Sequence, residues 1–125
     1  MTKRILVVED HVDNRRILRD LLSSAGFEIL EAVNGREGVA MAGLHRPDLV
    51  LMDIQLPEID GYEATRRIKS DPELQMIPVI AVTSYALSGD DVIAREAGCA
   101  DYVTKPFSPR QLLAKIKKQL SLADN

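Results

Sequence analysis

Five short apolar segments alternate along this chain with segments whose apolar residues recur at helical spacing. Each segment is too short for a buried helix, which indicates a strand, and the runs at 3–8 and 48–53 are typical of strands buried on both faces. The segment at 48–53 is the clearest case, because its Leu-Val-Leu-Met run ends in Asp53 and is followed by Pro57 and Gly61. The other predicted strands are residues 3–8, 27–33, 78–84 and 100–104.

This alternation restricts the fold. Strands that are each followed by a helix, with short connections, form a parallel sheet with helices on both faces. Because crossovers between parallel strands are right-handed, a doubly wound α/β arrangement is the expected layout. The 125-residue sequence contains no linker, internal repeat or low-complexity segment, so we predict a single domain over residues 1–125.

Composition argues against several classes of function. The net charge is -3 and the pI is about 5.4, whereas a nucleic-acid-binding surface is usually basic. Cys99 is the only cysteine, so a small buried thiol is its expected role. No apolar run approaches the ~18 residues of a membrane span, and a strand is predicted within a few residues of the N-terminus, where a signal peptide would lie. We therefore expect a cytoplasmic protein that contacts neither nucleic acid nor membrane.

Polar or charged side chains follow four of the five predicted strands. They are Glu9 and Asp10 after the first, Asp53 at the end of the third, Thr83 and Ser84 at the end of the fourth, and Lys105 after the fifth. Because the carboxyl ends of parallel strands share one edge of the sheet, we expect these side chains to converge where open α/β sheets bind their ligands. Asp53 alone is equally compatible with a capping role in the next turn, but its neighbours favour a functional role.

The combination of side chains is suited to phosphoryl transfer. Carboxylates that crowd together repel, and Mg²⁺, which prefers oxygen ligands, relieves that repulsion. Lys105 offers an ammonium and Thr83 a hydroxyl to phosphoryl oxygens, and an aspartate can accept the phosphoryl group. The sequence has no Gly-x-x-x-x-Gly-Lys-Ser/Thr motif, so a nucleotide is not the expected direct donor. His11 and His45 are too few to indicate a zinc or general-base site.

Four motifs in order carry a resemblance to a known family. They are Val-Val-Glu-Asp at 7–10, Leu-Met-Asp-Ile-Gln-Leu-Pro-Glu-Ile-Asp-Gly at 51–61, Ala-Val-Thr-Ser at 81–84 and Gly-Cys-Ala-Asp-Tyr-Val-Thr-Lys-Pro-Phe at 98–107. With them, essentially the whole chain resembles the receiver domains of two-component response regulators, the CheY-like family. This resemblance implies the flavodoxin-like strand order 2-1-3-4-5. The run from Asp53 to Gly61, together with Asn14 and the lack of an output domain, is most similar to the DivK-type single-domain regulators.

The resemblance implies a phosphoacceptor and a metal site. Asp53 would accept a phosphoryl group from a sensor histidine kinase or a histidine phosphotransfer protein. The expected Mg²⁺ ligands are Glu9, Asp10, Asp53 and the backbone carbonyl of Gln55.

The resemblance also implies a switch. Thr83 and Lys105 would engage the phosphoryl group, which adds about one to two negative charges. Inward movement of Thr83 would leave space for Tyr102, the switch aromatic, and the peptide bond before Pro106 would be cis. The surface of the fourth helix, fifth strand and fifth helix would change as a result. Candidate contacts there are Ala86, Leu87, Val92, Tyr102 and Phe107, although core packing is the simpler interpretation of Val92 and Phe107.

The sequence leaves the partners and the oligomeric state open. A kinase is expected to bind the first helix, whose Arg15, Arg16 and Arg19 are equally compatible with a solvated face. With no DNA-binding module, output is expected through a downstream protein target. The expected oligomeric state is a monomer or a weak dimer. Gln55 and Tyr85 each lie two residues past a site residue, at positions that in receivers influence hydrolysis of the aspartyl-phosphate. A bulky Tyr85 would hinder the attacking water, so the resemblance implies moderately slow loss of the phosphoryl group.

Three other functions are compatible with parts of the pattern. A haloacid-dehalogenase-like phosphohydrolase also uses a strand-end aspartate, but it resembles Asp-x-Asp, whereas position 55 is Gln. A degenerate receiver acting as a scaffold would lack some site residues, yet all are present. A flavodoxin-like flavin binder would need a phosphate-binding loop where Glu9 and Asp10 would repel phosphate. A phosphoacceptor that is not a turnover enzyme is the expected function.

Overall fold

The computed structural model describes residues 2–84 and 90–120, and within them strands and helices alternate strictly. The elements are β1 (Arg4–Val8), α1 (Val12–Ser24), β2 (Glu28–Ala32), α2 (Gly35–His45), β3 (Leu49–Asp53), α3 (Gly61–Lys69), β4 (Val79–Thr83), α4 (Asp90–Ala97), β5 (Asp101–Thr104) and α5 (Pro109–Gln119). Three residues singled out above, Tyr85, Ala86 and Leu87, lie outside this range. Every strand predicted from the sequence is present, and each bound agrees to within one residue.

The five strands form one parallel sheet in the order β2-β1-β3-β4-β5. The doubly wound arrangement and the strand order are therefore confirmed. β3 lies at the centre, and all five of its residues are buried, as a continuous apolar run predicts. Sheet register aligns Asp53 with Val82, and Thr83 with Thr104, so the carboxyl ends of β3, β4 and β5 lie at one edge.

Each face of the sheet carries its own hydrophobic core, because successive side chains of a strand point to opposite faces. On β1, Ile5 and Val7 pack with Leu18 of α1 and Leu112 of α5. The alternate residues of β1 pack instead with α2, α3 and α4, in a cluster that contains Leu6, Val8, Ala42, Ala64, Ile68, Ala94 and Cys99. Helices thus cover both faces, and Cys99 is the buried thiol that its sequence context indicated.

Side-chain caps fix the starts of three helices that flank the site edge. Asn34, Asp60 and Ser108 accept hydrogen bonds from the backbone N–H groups of residues 37, 63 and 111, each worth about 1 kcal/mol. At the start of α1, His11 occupies the cap position, and it makes no side-chain cap bond.

One apolar residue is placed differently from its expected core position. Val92 of α4 is about half exposed, so core packing is wrong for this residue. Phe107, by contrast, packs partly against the core cluster of α1 and α5, as expected. Within the described part of the chain, no helix is both long and apolar enough to cross a membrane.

Candidate functional site

Backbone hydrogen bonds extend the sheet just past its strands and thereby fix the residues that follow them. The N–H of Glu9 donates to the carbonyl of Ala32 at 3.0 Å, and the N–H of Lys105 donates to the carbonyl of Thr83 at 2.7 Å. The N–H of Ile54, directly after Asp53, donates to the carbonyl of Val82 at 3.0 Å. The sheet therefore holds Glu9, Asp53 and Lys105 side by side.

Three carboxylates meet at this edge. Ligand oxygens of Glu9, Asp10 and Asp53 lie within 4.8 Å of one another. Glu9 is 1% exposed and Asp53 is 3% exposed, an uncommon degree of burial for acidic side chains. Burial of charge on this scale is costly unless the charges are compensated, so the cluster needs a cation.

Lys105 supplies the first cation. Its Nζ lies 2.9 Å from Oε1 of Glu9 and 3.4 Å from Oδ2 of Asp53. The ammonium is thus closer to Glu9 than to the aspartate at the centre of the sheet. One ammonium faces three carboxylates, so the site keeps a negative charge that a divalent cation can balance.

The pKa values reflect this imbalance. Burial, together with the neighbouring Glu9, raises the pKa of Asp53 to about 6, although Lys105 opposes the shift. Burial also acts to raise the pKa of Glu9, but hydrogen bonds from Lys105 and Asp53 leave it below its ordinary value. Burial would lower the pKa of Lys105, whereas its two carboxylate partners raise it overall. Of these two carboxylates, Asp53 therefore binds a proton more readily than Glu9 does.

Asp10 provides a direct sign that the site suits a metal ion. Its Oδ1 is buried and has no hydrogen-bond partner among the described residues. A buried carboxylate oxygen without a partner is costly, and Mg²⁺ ligation would satisfy it. An all-oxygen set of two or three carboxylates is the donor chemistry that Mg²⁺ prefers, so the residues fit this ion.

The loop after β3 closes tightly over Asp53. The N–H of Gln55 donates to Oδ1 of Asp53 at 3.1 Å, and the N–H of Gly61 donates to the carbonyl of Ile54 at 3.0 Å. A Cβ atom at Gly61 would lie 2.2 Å from the carbonyl oxygen of Asp53, so only glycine fits there. Gln55 thus stands next to the acidic cluster.

The remaining predicted residues lie around this centre. Thr83 is buried at the end of β4, the strand that pairs with β3. Tyr102 is partly buried against the core on the side of α2, α3 and α4, and it does not belong to the acidic cluster. The peptide bond between Lys105 and Pro106 is cis.

Arg15 is a site-adjacent residue whose place the sequence analysis did not identify. Its Nη1 donates to the carbonyl oxygens of Glu9 at 2.9 Å and of Asp10 at 3.2 Å. A signal was present, because Arg15 precedes the buried Leu18 by three residues and therefore shares its helix face. Sequence reasoning instead assigned Arg15 to a partner-binding or solvated face with Arg16 and Arg19.

Comparison with known proteins decides the family. Residues 5–117 match the response regulator receiver domain. The chain belongs to the response regulator receiver family. Among relatives, it is 46% identical over 120 residues to the polar-differentiation response regulator DivK of Brucella anthropi, covering 96% of this chain and 98% of that protein. The DivK of Brucella ovis is 45% identical over the same shares.

Solved structures support the same assignment. A CheY-like response regulator receiver domain protein from Methanospirillum hungatei has a TM-score of 0.89 and 33% identity, covering 97% of this chain and 95% of that one. The receiver domain of a sensor histidine kinase from Pseudomonas aeruginosa, which holds a magnesium ion in its active-site cleft, has a TM-score of 0.89 and 35% identity. It covers 97% of this chain and 99% of that one. Family membership and the resemblance to DivK regulators are thus confirmed, and the chain is a receiver of the two-component signalling systems.

Proposed function

We propose that this receiver accepts a phosphoryl group on Asp53 from a phosphohistidine of a sensor histidine kinase or a histidine phosphotransfer protein. The buried pair of Asp53 and Lys105, set among two further carboxylates, is the observation that carries this proposal. Residues 1–125 act as one receiver domain, and the change of state is passed on by protein contacts.

The proposed Mg²⁺ ligands are Glu9, Asp10, Asp53 and the backbone carbonyl of Gln55. The unpartnered Oδ1 of Asp10 and the closeness of the three carboxylates support this set. When bound, the ion offsets the negative charge that accumulates on the phosphoryl oxygens.

In the chemical step, Asp53 is deprotonated and aligned with the donor. A carboxylate oxygen of Asp53 attacks phosphorus, and an O–P bond forms as the P–N bond of phosphohistidine breaks. The imidazole nitrogen leaves with the bonding electron pair. Lys105, which lies 3.4 Å from Asp53, moves from Glu9 toward the new phosphoryl oxygens, and the Thr83 hydroxyl donates to them.

The proposed switch runs from Thr83 to Tyr102. Thr83 is buried on β4, and Tyr102 lies on the neighbouring strand β5, opposite Ala81. Movement of the hydroxyl toward Asp53 leaves room for the partly buried Tyr102 ring, which changes the surface formed by α4, β5 and α5. That surface binds the downstream target or, in a weak dimer, a second copy.

The proposed donor surface is the cleft between α1 and the loop that follows β5. This cleft has a volume of about 470 Å³, and Ile17, Leu21 and Phe107 contribute apolar walls. It reaches Glu9 and Lys105 at its inner end, so a helix seated there can bring a phosphohistidine to Asp53. Ile17 is more than half exposed, which favours a protein partner at this place.

The test is intact-mass analysis after incubation with acetyl phosphate and Mg²⁺, with and without chelator. A single phosphoryl adduct is expected on the wild type and on Asp20→Asn, a matched control in which an exposed aspartate is changed. No adduct is expected on Asp53→Asn or in the presence of chelator. Absence of an adduct on the folded wild type would contradict the proposal, and continuous consumption of acetyl phosphate would indicate a phosphohydrolase instead.

A further inference from the structure

Arg15 of α1 occupies an unusual position beside the acidic edge of the sheet. Its side chain is 16% exposed, whereas Arg16 and Arg19 of the same helix are exposed. A single guanidinium nitrogen, Nη1, donates to the carbonyls of Glu9 and Asp10, the two residues that follow β1. Its Nε lies 3.5 Å from Oε1 of Glu31 on the edge strand β2. Arg15 therefore joins three parts of the fold through one planar group.

From these contacts we infer that Arg15 is a positioning residue for the metal ligands Glu9 and Asp10. It holds the backbone from which both carboxylates project, rather than touching the ligand atoms or the phosphoryl group itself. This inference rests on the proposed function, since it assigns Arg15 to the same Mg²⁺ site.

The geometry of the loop explains why such a residue is needed. Adjacent residues of a regular strand point to opposite faces, so Glu9 and Asp10 converge on one ion only if the chain leaves the strand between them. The loop that achieves this is short, because α1 begins at Val12. Nη1 binds both carbonyls while Nε faces Glu31, so the planar guanidinium ties the loop to the edge strand, and outer contacts of this kind orient the groups that ligate a metal.

Other roles for Arg15 fit the contacts less well. A partner-binding arginine keeps its donors available to solvent, whereas Nη1 and Nε of Arg15 already face backbone carbonyls and Glu31. A helix-surface ion pair with Glu31 is also an insufficient account, because such a pair contributes little by itself and Nη1 engages two backbone carbonyls as well. Arg16, exposed and one residue further on, is the natural comparison.

The test measures the Mg²⁺ dissociation constant by calorimetry for Arg15→Met, Arg15→Lys and the control Arg16→Met. We expect Arg15→Met to weaken binding about tenfold and Arg16→Met to leave it unchanged. Arg15→Lys keeps the charge, but its single ammonium cannot face both the carbonyls and Glu31 as Nη1 and Nε do, so it should restore only part of the affinity. A purely structural role would lower the melting temperature without changing the dissociation constant of the folded protein.

A second measurement does not depend on the metal. Hydrogen exchange of the metal-free protein reports on the N–H of His11, which donates to Oε2 of Glu9 at 3.1 Å. We expect faster exchange in the peptide that spans residues 9–14 of Arg15→Met, and no change in Arg16→Met.

The two results separate the inference from the proposed function. An unchanged dissociation constant and unchanged exchange in folded Arg15→Met would overturn the role of Arg15, as would complete rescue by Arg15→Lys. If the wild type acquires no phosphoryl group on Asp53, the proposed function fails. In that case the exchange comparison alone decides whether Arg15 orders the loop.

Discussion

Replacement of Asp53 by asparagine should make the metal-free protein more stable, although it removes the proposed phosphoacceptor. Asp53 is 3% exposed and shares a single ammonium with Glu9. The substitution keeps the size and shape of the side chain and removes the charge. Lys105 retains its closer partner, Glu9, at 2.9 Å, so no buried cation is left alone.

The magnitude follows from the raised pKa of Asp53. A carboxyl group with a pKa of 3.8 in the unfolded chain and about 6 in the fold binds its proton more tightly when folded. Stability from this group is therefore lost as the pH rises from 3.8 to 6, and above that range the charged form costs about 3 kcal/mol. At pH 5 about half of that cost remains.

The assay is thermal unfolding in chelator at pH 7.5 and pH 5. At pH 7.5, Asp53→Asn should melt about 10 °C above the wild type, because each kcal/mol shifts the midpoint of a chain of this size by about 3 to 5 °C. The difference should shrink at pH 5. Asp20→Asn makes the same chemical change on a side chain that is 72% exposed, and it should leave the midpoint within about 2 °C.

Unfolding in Mg²⁺ should have the opposite effect on the difference between the two proteins. A saturating ion stabilises the wild type, whose ligand set is complete, and stabilises Asp53→Asn less. The gap should therefore narrow or reverse when Mg²⁺ replaces the chelator. If Asp53→Asn melts at or below the wild type in chelator at pH 7.5, the reasoning from charge burial is refuted.

Three further predictions follow from the same edge of the sheet. Mg²⁺ affinity, measured by calorimetry, should rise from pH 5 to pH 7 and then level off. The ion binds the deprotonated form of Asp53, whose pKa is about 6 in the metal-free fold. An affinity independent of pH would contradict this prediction. Lys105→Met should lower the free energy of unfolding in chelator by about 2 to 3 kcal/mol. It should nevertheless tighten Mg²⁺ binding, because the ammonium no longer competes for Glu9. Weaker Mg²⁺ binding would count against that competition. Gly61→Ala should lower the free energy of unfolding in urea by about 3 kcal/mol, since its Cβ would meet backbone 2.2 Å away. The control Gly43→Ala should raise it by about 1 kcal/mol, because nothing lies within 4 Å of that Cβ in α2; equal effects would contradict the packing argument.

The sequence alone determined the fold and the place of the site. The run 49–52 is apolar at every position because both faces of a central parallel strand are covered, and that signal does not depend on which helices cover it. Asp53 ends this strand and Lys105 follows the fifth strand, and parallel strands bring their carboxyl ends to one edge. The strand order was expected from the resemblance that the four receiver motifs carry, and residues 5–117 match that family.

Only the tertiary structure decided how neighbouring side chains divide their roles. Arg15 and Arg16 are adjacent and alike in sequence, but Arg15 turns toward the carbonyls after β1 and Arg16 faces solvent. Val92 has a core-like residue type and still lies half exposed on α4. Helical spacing gives a face, whereas burial depends on what packs against that face.

The charge state of the site was likewise a tertiary property. The sequence predicted that Asp53 and Lys105 would converge, but not that Lys105 would lie closer to Glu9, nor that the pKa of Asp53 would rise to about 6. Both depend on distances of a few ångströms and on exclusion of water from the sheet edge. The order of residues along the chain fixes which groups meet, whereas the packed structure fixes how strongly they interact.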